Sequence, residues 1–154
     1  MHPIMMPDHL GLMVRQFFND SFPNPVQNII VLIVLALGKV FQHRETMRDN
    51  NDSIPGLEYM AAASQFMDEH HERDTVEHAQ IFILTALYYD QLGRVVESYS
   101  YLEEADRALR MIMDCDSGRF KEVQGKTAFE NMTPEDQAKN GVLLIYWTCL
   151  MLAR

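Results

Sequence analysis

Apolar residues recur at intervals of three and four along most of this chain, the spacing of one face of an α-helix. A pattern beginning at Asp8 predicts a short first helix. This helix is expected to end at the two prolines and polar turn residues within 19–25. A capping asparagine followed by Pro25 predicts a second helix that continues to about Met47. After a polar loop, a third helix is predicted from Leu57. Its expected core face carries Leu57, Met60, Ala61, Ser64 and Met67.

The longest apolar run, "IIVLIVLALG" at 29–38, is compatible with either a buried strand or a buried helix, because β-branched residues are frequent in it. Helix is favoured because the neighbouring segments are helical and a lone strand would have no partner. The run is about half of the ~20 residues needed to cross a bilayer, so it predicts a core segment and no membrane contact. The amino terminus lacks the pattern of a secretory signal.

Two further helices are predicted around the sequence Leu92-Gly93-Arg94. The first is expected over 76–92, capped by Asp74 or by Thr75, with Gly93 ending it in the left-handed conformation. The second begins at Val95 and is predicted to pack antiparallel on the first. Its expected apolar stripe consists of Val95, Tyr99, Leu102, Ala105, Leu109 and Ile112.

Residues 114–132 mix glycine, lysine and isolated aromatics without a clear period, which predicts mostly loop. Thr133, Pro134 and Asp136 then form the start of a last, strongly apolar helix. Its uncovered apolar stripe leads us to expect a protein partner or further protein to pack against it. The fold expected for residues 1–154 is therefore a single all-α domain of stacked antiparallel helices with repeat-like helix pairs.

The net charge and the cysteine content exclude some classes of function. The 154 residues are 47% hydrophobic and carry a formal net charge of −9, from 22 acidic and 13 basic side chains. Nucleic-acid binding depends on phosphate neutralisation by lysine and arginine, so no direct nucleic-acid contact is expected. Cys115 and Cys149 lack metal-finger spacing and are expected to be reduced, packed thiols.

Histidines are the first candidates for chemistry. His70 and His71 stand among acidic residues in "DEHHERD", but adjacent helix positions point about 100° apart, which favours a solvated helix end over a metal site. His78 is expected on the face opposite the most apolar stripe of its helix, near Asp74. No catalytic, cofactor-binding or metal-binding residue is assigned, and no cofactor is expected.

Methionine and tyrosine could together line a ligand pocket. The chain has 11 methionines, and thioethers adapt to varied shapes, yet ordinary core filling is the favoured interpretation. Four tyrosines of the paired helices could present hydroxyls to a metabolite, although structural roles are favoured for Tyr88, Tyr89, Tyr99 and Tyr101. The charged faces carrying Glu97, Glu103, Glu104, Asp106, Arg107 and Arg110 are expected to be solvated surface.

Three segments, 55–67, 76–111 and 133–154, together resemble the middle homology region of fungal zinc-cluster transcription factors, and their order matches as well. In the first helix of the pair and its turn, the residues that match the family's motif are Tyr88, Leu92, Gly93 and Arg94. The second helix of the pair fits with Tyr99, Tyr101, Leu102, Ala105 and Arg107, and the last helix fits with Tyr146, Trp147, Leu152 and Arg154. The six-cysteine zinc cluster of such factors is absent from the chain.

The resemblance implies a partial regulatory domain that performs no catalysis and works in the nucleus. Its expected partners are the remainder of the transcription factor or another protein, and the prediction leaves room for a homodimer and for a small-molecule effector. An effector would act by binding one arrangement of the helices better than another.

A tetratricopeptide-like interaction module is the alternative, since residues 86–109 also look like one such unit. No second copy follows at the ~34-residue period, and solenoids need about three units for stability. An enzyme is not expected, because the chain has no nucleophile–base, phosphate-loop or metal signature.

Overall fold

The computed structural model describes residues 7–19, 25–46, 54–69, 75–115 and 134–152. Within these ranges the regular elements are six helices packed against each other, without a strand, which confirms the all-α prediction. The helices are α1 (Pro7–Asn19), α2 (Pro25–Thr46), α3 (Leu57–Glu69), α4 (Val76–Gln91), α5 (Val95–Cys115) and α6 (Pro134–Leu152).

Local sequence explains several of the helix ends. Pro25 and Pro134 each occupy a first helical position, where the missing N–H costs nothing. Thr75 caps α4, because its hydroxyl oxygen accepts a hydrogen bond from the His78 backbone N–H at 3.3 Å. Asp74, the other candidate cap, lies outside the described residues, as does the capping position Thr133. Asp8 lies within the first turn of α1 and does not precede that helix.

The run 29–38 is helical and buried, as predicted. The side chains of Ile29, Val31 and Ile33 are fully excluded from solvent, as is that of Ala36. Consecutive buried positions on a helix require neighbours on more than one side. α1, α3 and α4 supply these neighbours.

α4 is shared by two clusters of buried side chains. The first cluster joins α1, α2 and α3 to one face of α4, at Ile81, Leu84 and Tyr88. The second cluster joins α5 and α6 to the other face, at Ala79, Ile83 and Ala86. Because residues 81 and 83 are about 200° apart around the helix, one helix faces both clusters.

The turn before α3 is held between α2 and α4. Gly56 adopts a φ of +77°, and a Cβ at this position would lie 2.5 Å from the carbonyl oxygen of Ala36. From the other side, the Tyr88 hydroxyl donates a hydrogen bond to the Pro55 carbonyl oxygen at 3.2 Å. The turn therefore requires a glycine for its backbone conformation and for its close approach to α2.

Two predicted faces need correction. On α3 the buried positions are Met60 and Ala63, whereas Leu57 and Ala61 are exposed. On α5 the predicted stripe is buried at Leu102, Ala105 and Leu109, but its first two members point to solvent. Val95 is 67% exposed and Tyr99 is 52% exposed, and Ser98 and Ala108 take buried positions instead.

Replacement of Gly56 by alanine tests the docking of this turn. Gly56→Ala should lower the free energy of unfolding by about 2–4 kcal/mol, because the left-handed backbone strains a side chain and the Cβ collides with the α2 backbone. Urea unfolding followed by circular dichroism measures the change.

Gly38→Ala is the matched control, since Gly38 is exposed within α2 and a Cβ there meets nothing within 4 Å. This variant should be more stable than the parent by about 0.5–1 kcal/mol, the helix-propensity difference between alanine and glycine. Equal effects of the two substitutions would contradict the described packing of the turn.

Candidate functional site

The turn between α4 and α5 is a Schellman motif. The Gly93 N–H donates to the Asp90 carbonyl oxygen and the Arg94 N–H donates to the Tyr89 carbonyl oxygen, each at 2.9 Å. Gly93 has a φ of +74°, as its predicted helix-ending role requires. The resulting reversal packs α5 along α4 and brings the tyrosines of both helices together.

Four aromatic rings form a row across the α4–α5 hairpin. The rings of Tyr89 and Tyr101 are stacked, with centroids 5.5 Å apart and planes 7° from parallel. Phe82 adjoins Tyr101 at 6.3 Å, and Tyr88 meets Tyr89 edge to face at 5.5 Å. Such pairs stabilise the contact between the helices, and they cover ring faces that a bound metabolite would otherwise use.

Arg94 contacts Tyr89, an interior member of this row. Its guanidinium carbon lies 5.0 Å from the centre of the Tyr89 ring, a cation–π contact. Its Nε donates to Glu97 Oε1 at 2.9 Å, and this hydrogen bond raises the pKa of Arg94 and lowers the pKa of Glu97. Both side chains are solvent-exposed, so the pair fixes the geometry of the turn and adds little stability.

The Tyr88 hydroxyl serves a structural role. It donates to the Pro55 carbonyl oxygen in a nearly solvent-free position, and burial raises the pKa of Tyr88. A neutral hydroxyl in this position ties α4 to the turn before α3. The structural interpretation favoured by the sequence is therefore confirmed for Tyr88.

A cavity of about 70 Å³ lies at one end of the hairpin, and it is lined by Ala86, Leu87, Asp90, Ser98, Leu102 and Leu152. Ligand pockets for small metabolites usually have volumes of about 300–1,000 Å³. This cavity can therefore hold a few water molecules but not a metabolite.

The histidine predictions have different outcomes. His70 and His71 lie outside the described residues. His78 is buried, at 6% exposure, and its Nδ1 lies 2.9 Å from the Thr75 hydroxyl oxygen, so the expected polar-face position was wrong. The reason is that both faces of α4 are covered. Among the described side chains, no three metal-ligating residues come together.

The cysteine and charge predictions need partial correction. Cys149 is buried, as expected, but Cys115 is exposed. Asp106 was expected on solvated surface, yet its Oδ1 atom is excluded from solvent and accepts no hydrogen bond within the described part of the chain. Its other oxygen accepts from Arg110 Nε at 2.7 Å. The sequence gives no signal that one Asp106 oxygen is excluded from solvent, because this depends on residues distant along the chain, such as Cys149 of α6 near Asp106.

Cys149 lies at the contact between α5 and α6. Its thiol donates a long hydrogen bond of 3.5 Å to the Leu102 carbonyl oxygen. Burial raises the pKa of Cys149 from 9.0 to about 11, and the nearby Asp106 carboxylate adds to the increase. A thiol with this pKa is protonated at neutral pH and is a poor nucleophile.

One stretch of the described helices, Pro25–His43 in α2, is long and apolar enough to span a membrane by length and composition. Half of that stretch is buried against other helices. Core helices of globular proteins meet the same criterion, so this property alone does not make α2 a membrane helix. Comparisons with protein-family models, with curated proteins and with solved structures found no match to this chain.

Alkaline unfolding tests the burial of Cys149. The thiol ionises near pH 9.0 in the unfolded chain and near pH 11 in the folded chain. The stability that the neutral folded thiol contributes is therefore fully present below pH 9 and is lost as the pH rises through about 11. The free energy of unfolding of the parent should therefore fall more steeply between pH 9 and 11 than that of Cys149→Ala.

Cys115→Ala is the control, because Cys115 is exposed. It should keep the pH dependence of the parent chain. Urea titrations at a series of pH values supply the free energies, and the same slope in all three chains would be incompatible with a buried, proton-retaining Cys149.

Proposed function

We propose that this chain is a non-catalytic, all-helical regulatory domain of the kind found in the middle region of fungal zinc-cluster transcription factors. In this proposal the domain works in the nucleus and controls transcription through protein contacts. The remainder of a transcription factor or a separate protein is its partner, and DNA is bound by a segment outside these residues.

The observation that supports this proposal most is where the motif residues lie. Tyr88, Leu102 and Ala105 are buried in the helix contacts, and Gly93 has the left-handed conformation that ends α4. Arg94 contacts the Tyr89 ring at the same turn. The shared residues thus specify a way of packing helices, and the regulatory role is inferred by analogy from that packing.

Charge and cavity size refine the proposed mechanism. A net charge of −9 repels nucleic acid, so contact with protein is the favoured route of action. The cavity of about 70 Å³ at the end of the α4–α5 hairpin is too small for a metabolite, so an effector is not assigned to it. Protein contact is therefore the primary mode in the proposal, with effector binding and homodimer formation as secondary modes.

A tetratricopeptide-like module is the second candidate. Two successive pairs of contacting helices, α2 with α3 and α4 with α5, favour it, as does the packing of α2 beside α4. Such modules bind peptides along an exposed row of first helices. In this chain α4 is buried on two faces, which leaves little of it to line a groove, so the regulatory proposal is preferred.

A reporter assay in yeast tests the proposal. The whole chain is inserted between a heterologous DNA-binding domain and an activation domain, and transcription is compared with that of the fusion without the chain. A regulatory domain should reduce transcription by at least about fivefold, the lower end of ordinary coupling between sites.

Two variants test whether the reduction in transcription depends on the folded helices or on the charge of the chain. Leu109→Asp places a charge in the fully buried second cluster and should restore transcription, whereas Glu103→Gln alters an exposed side chain of α5 and should leave the reduction intact. Transcription that is indifferent to the inserted chain would contradict the proposal. A reduction that persists in Leu109→Asp would also contradict it, since the effect would then not need the folded helices.

A further inference from the structure

Among its described side chains, α6 contacts the other helices mainly from one side. Its residues Val142, Ile145 and Cys149 join the second cluster, against α5 and α4. On its opposite side, Trp147 is 55% exposed and Met151 is 67% exposed. α4, by comparison, is covered on two faces. Counting only the residues that the structure describes, α6 therefore has fewer contacts to lose than α4 if it separates.

One polar atom near the seam between α5 and α6 is poorly satisfied. The Oδ1 atom of Asp106 is buried and accepts no hydrogen bond in the described part of the chain. The Cys149 thiol makes a hydrogen bond of 3.5 Å across the seam, and the buried Thr148 hydroxyl donates to the Leu144 carbonyl oxygen of its own helix. Separation of the two helices would return the Asp106 oxygen to water, which opposes the docking of α6.

The first cluster does not depend on α6. In the described part of the chain, its buried residues come from α1, α2, α3 and α4, among them Ile29, Ile33, Met60 and Ile81. If α6 leaves, this cluster keeps its described contacts. What becomes exposed is the part of the second cluster that Val142, Ile145 and Cys149 cover, which includes the α5 backbone at Leu102.

We infer that α6 undocks from the α4–α5 hairpin as a unit, at a lower free energy than global unfolding, and is a removable cover over the apolar face of that hairpin. Local opening of this kind occurs where a segment has few buried contacts and the rest of the fold has its own core. A partner that binds the uncovered face would shift the equilibrium toward the open arrangement. The inference concerns the fold itself and does not depend on a role in transcription.

Thiol labelling measures this opening directly. The chain has two cysteines, so Cys115→Ser leaves Cys149 as the single thiol, and a soluble aromatic disulfide can reach it only when α6 separates. A reference thiol is placed in the first cluster by Ala63→Cys in a chain that also carries Cys115→Ser and Cys149→Ala. Ala63 is fully buried on α3 and reports global unfolding.

Cys149 should react at least about tenfold faster than the thiol introduced at position 63, and its rate should depend less on urea. Equal rates with equal urea dependence would overturn the inference. Hydrogen exchange of the unchanged chain repeats the test without substitutions. Backbone amides of 142–149 should be less protected than those of 29–33, and equal protection would likewise overturn it.

A pair of matched substitutions tests the role of the seam. Asp106→Asn should slow the labelling of Cys149 by about threefold or more, because a neutral amide costs less to bury than a carboxylate. Glu103→Gln makes the same change of charge at an exposed position of α5 and should leave the rate unchanged. Faster labelling in Asp106→Asn, or equal slowing in both variants, would overturn the assignment of Asp106 as the group that weakens docking.

Discussion

The burial of α4 on two opposite faces is the constraint on which the rest of this structure depends. Ile81 and Ile83 are both fully excluded from solvent, yet they belong to different clusters. A helix that is apolar on both faces is stable only when other helices cover both. α2 therefore packs on one side of α4, with α3 in the same cluster, and α5 and α6 pack on the other side.

The burial of α4 on two faces also limits which side chains of the described helices are available to bind a ligand. Aromatic residues at the α4–α5 contact stack on each other, and the Tyr88 hydroxyl is hydrogen-bonded to the Pro55 carbonyl oxygen. Groups that could carry chemistry thus take part in packing. Two buried side-chain oxygens in the described part of the chain have no hydrogen-bond partner. Thr85 Oγ1 lies in α4, and Asp106 Oδ1 lies in α5 near Cys149 of α6, where we infer that the fold opens. A role through changing contacts between helices agrees with this distribution.

Much of the helix pattern could be predicted from local sequence. Pro25 and Gly93 act through their own backbone restrictions, and the run 29–38 could be assigned to a helix because a strand would lack a partner. These features depend on a few neighbouring residues. The left-handed turn at Gly93 was therefore predicted at the correct residue.

The failed predictions concern what lies beside each helix. Periodicity identified one face of α5 but not how far its neighbours extend, so Val95 and Tyr99 were wrongly placed in the core. His78 was placed on a polar face, although α4 has a neighbour on both sides. The surface prediction for Asp106 holds in part, since its side chain is 29% exposed while one of its oxygens is excluded from solvent. The close approach of Gly56 to α2 likewise depends on residues distant in sequence.

The most direct test of the shared-helix account compares Ile81→Ala with Ile83→Ala by urea unfolding, followed by far-ultraviolet circular dichroism. Each substitution removes a fully buried side chain, one from each cluster, so each should cost about 2–5 kcal/mol. If α4 unites the two clusters, both variants will unfold in one cooperative transition at a lower urea concentration than the parent. A variant whose main loss of helical signal keeps the parent's midpoint would contradict the account, whether or not α6 undocks first.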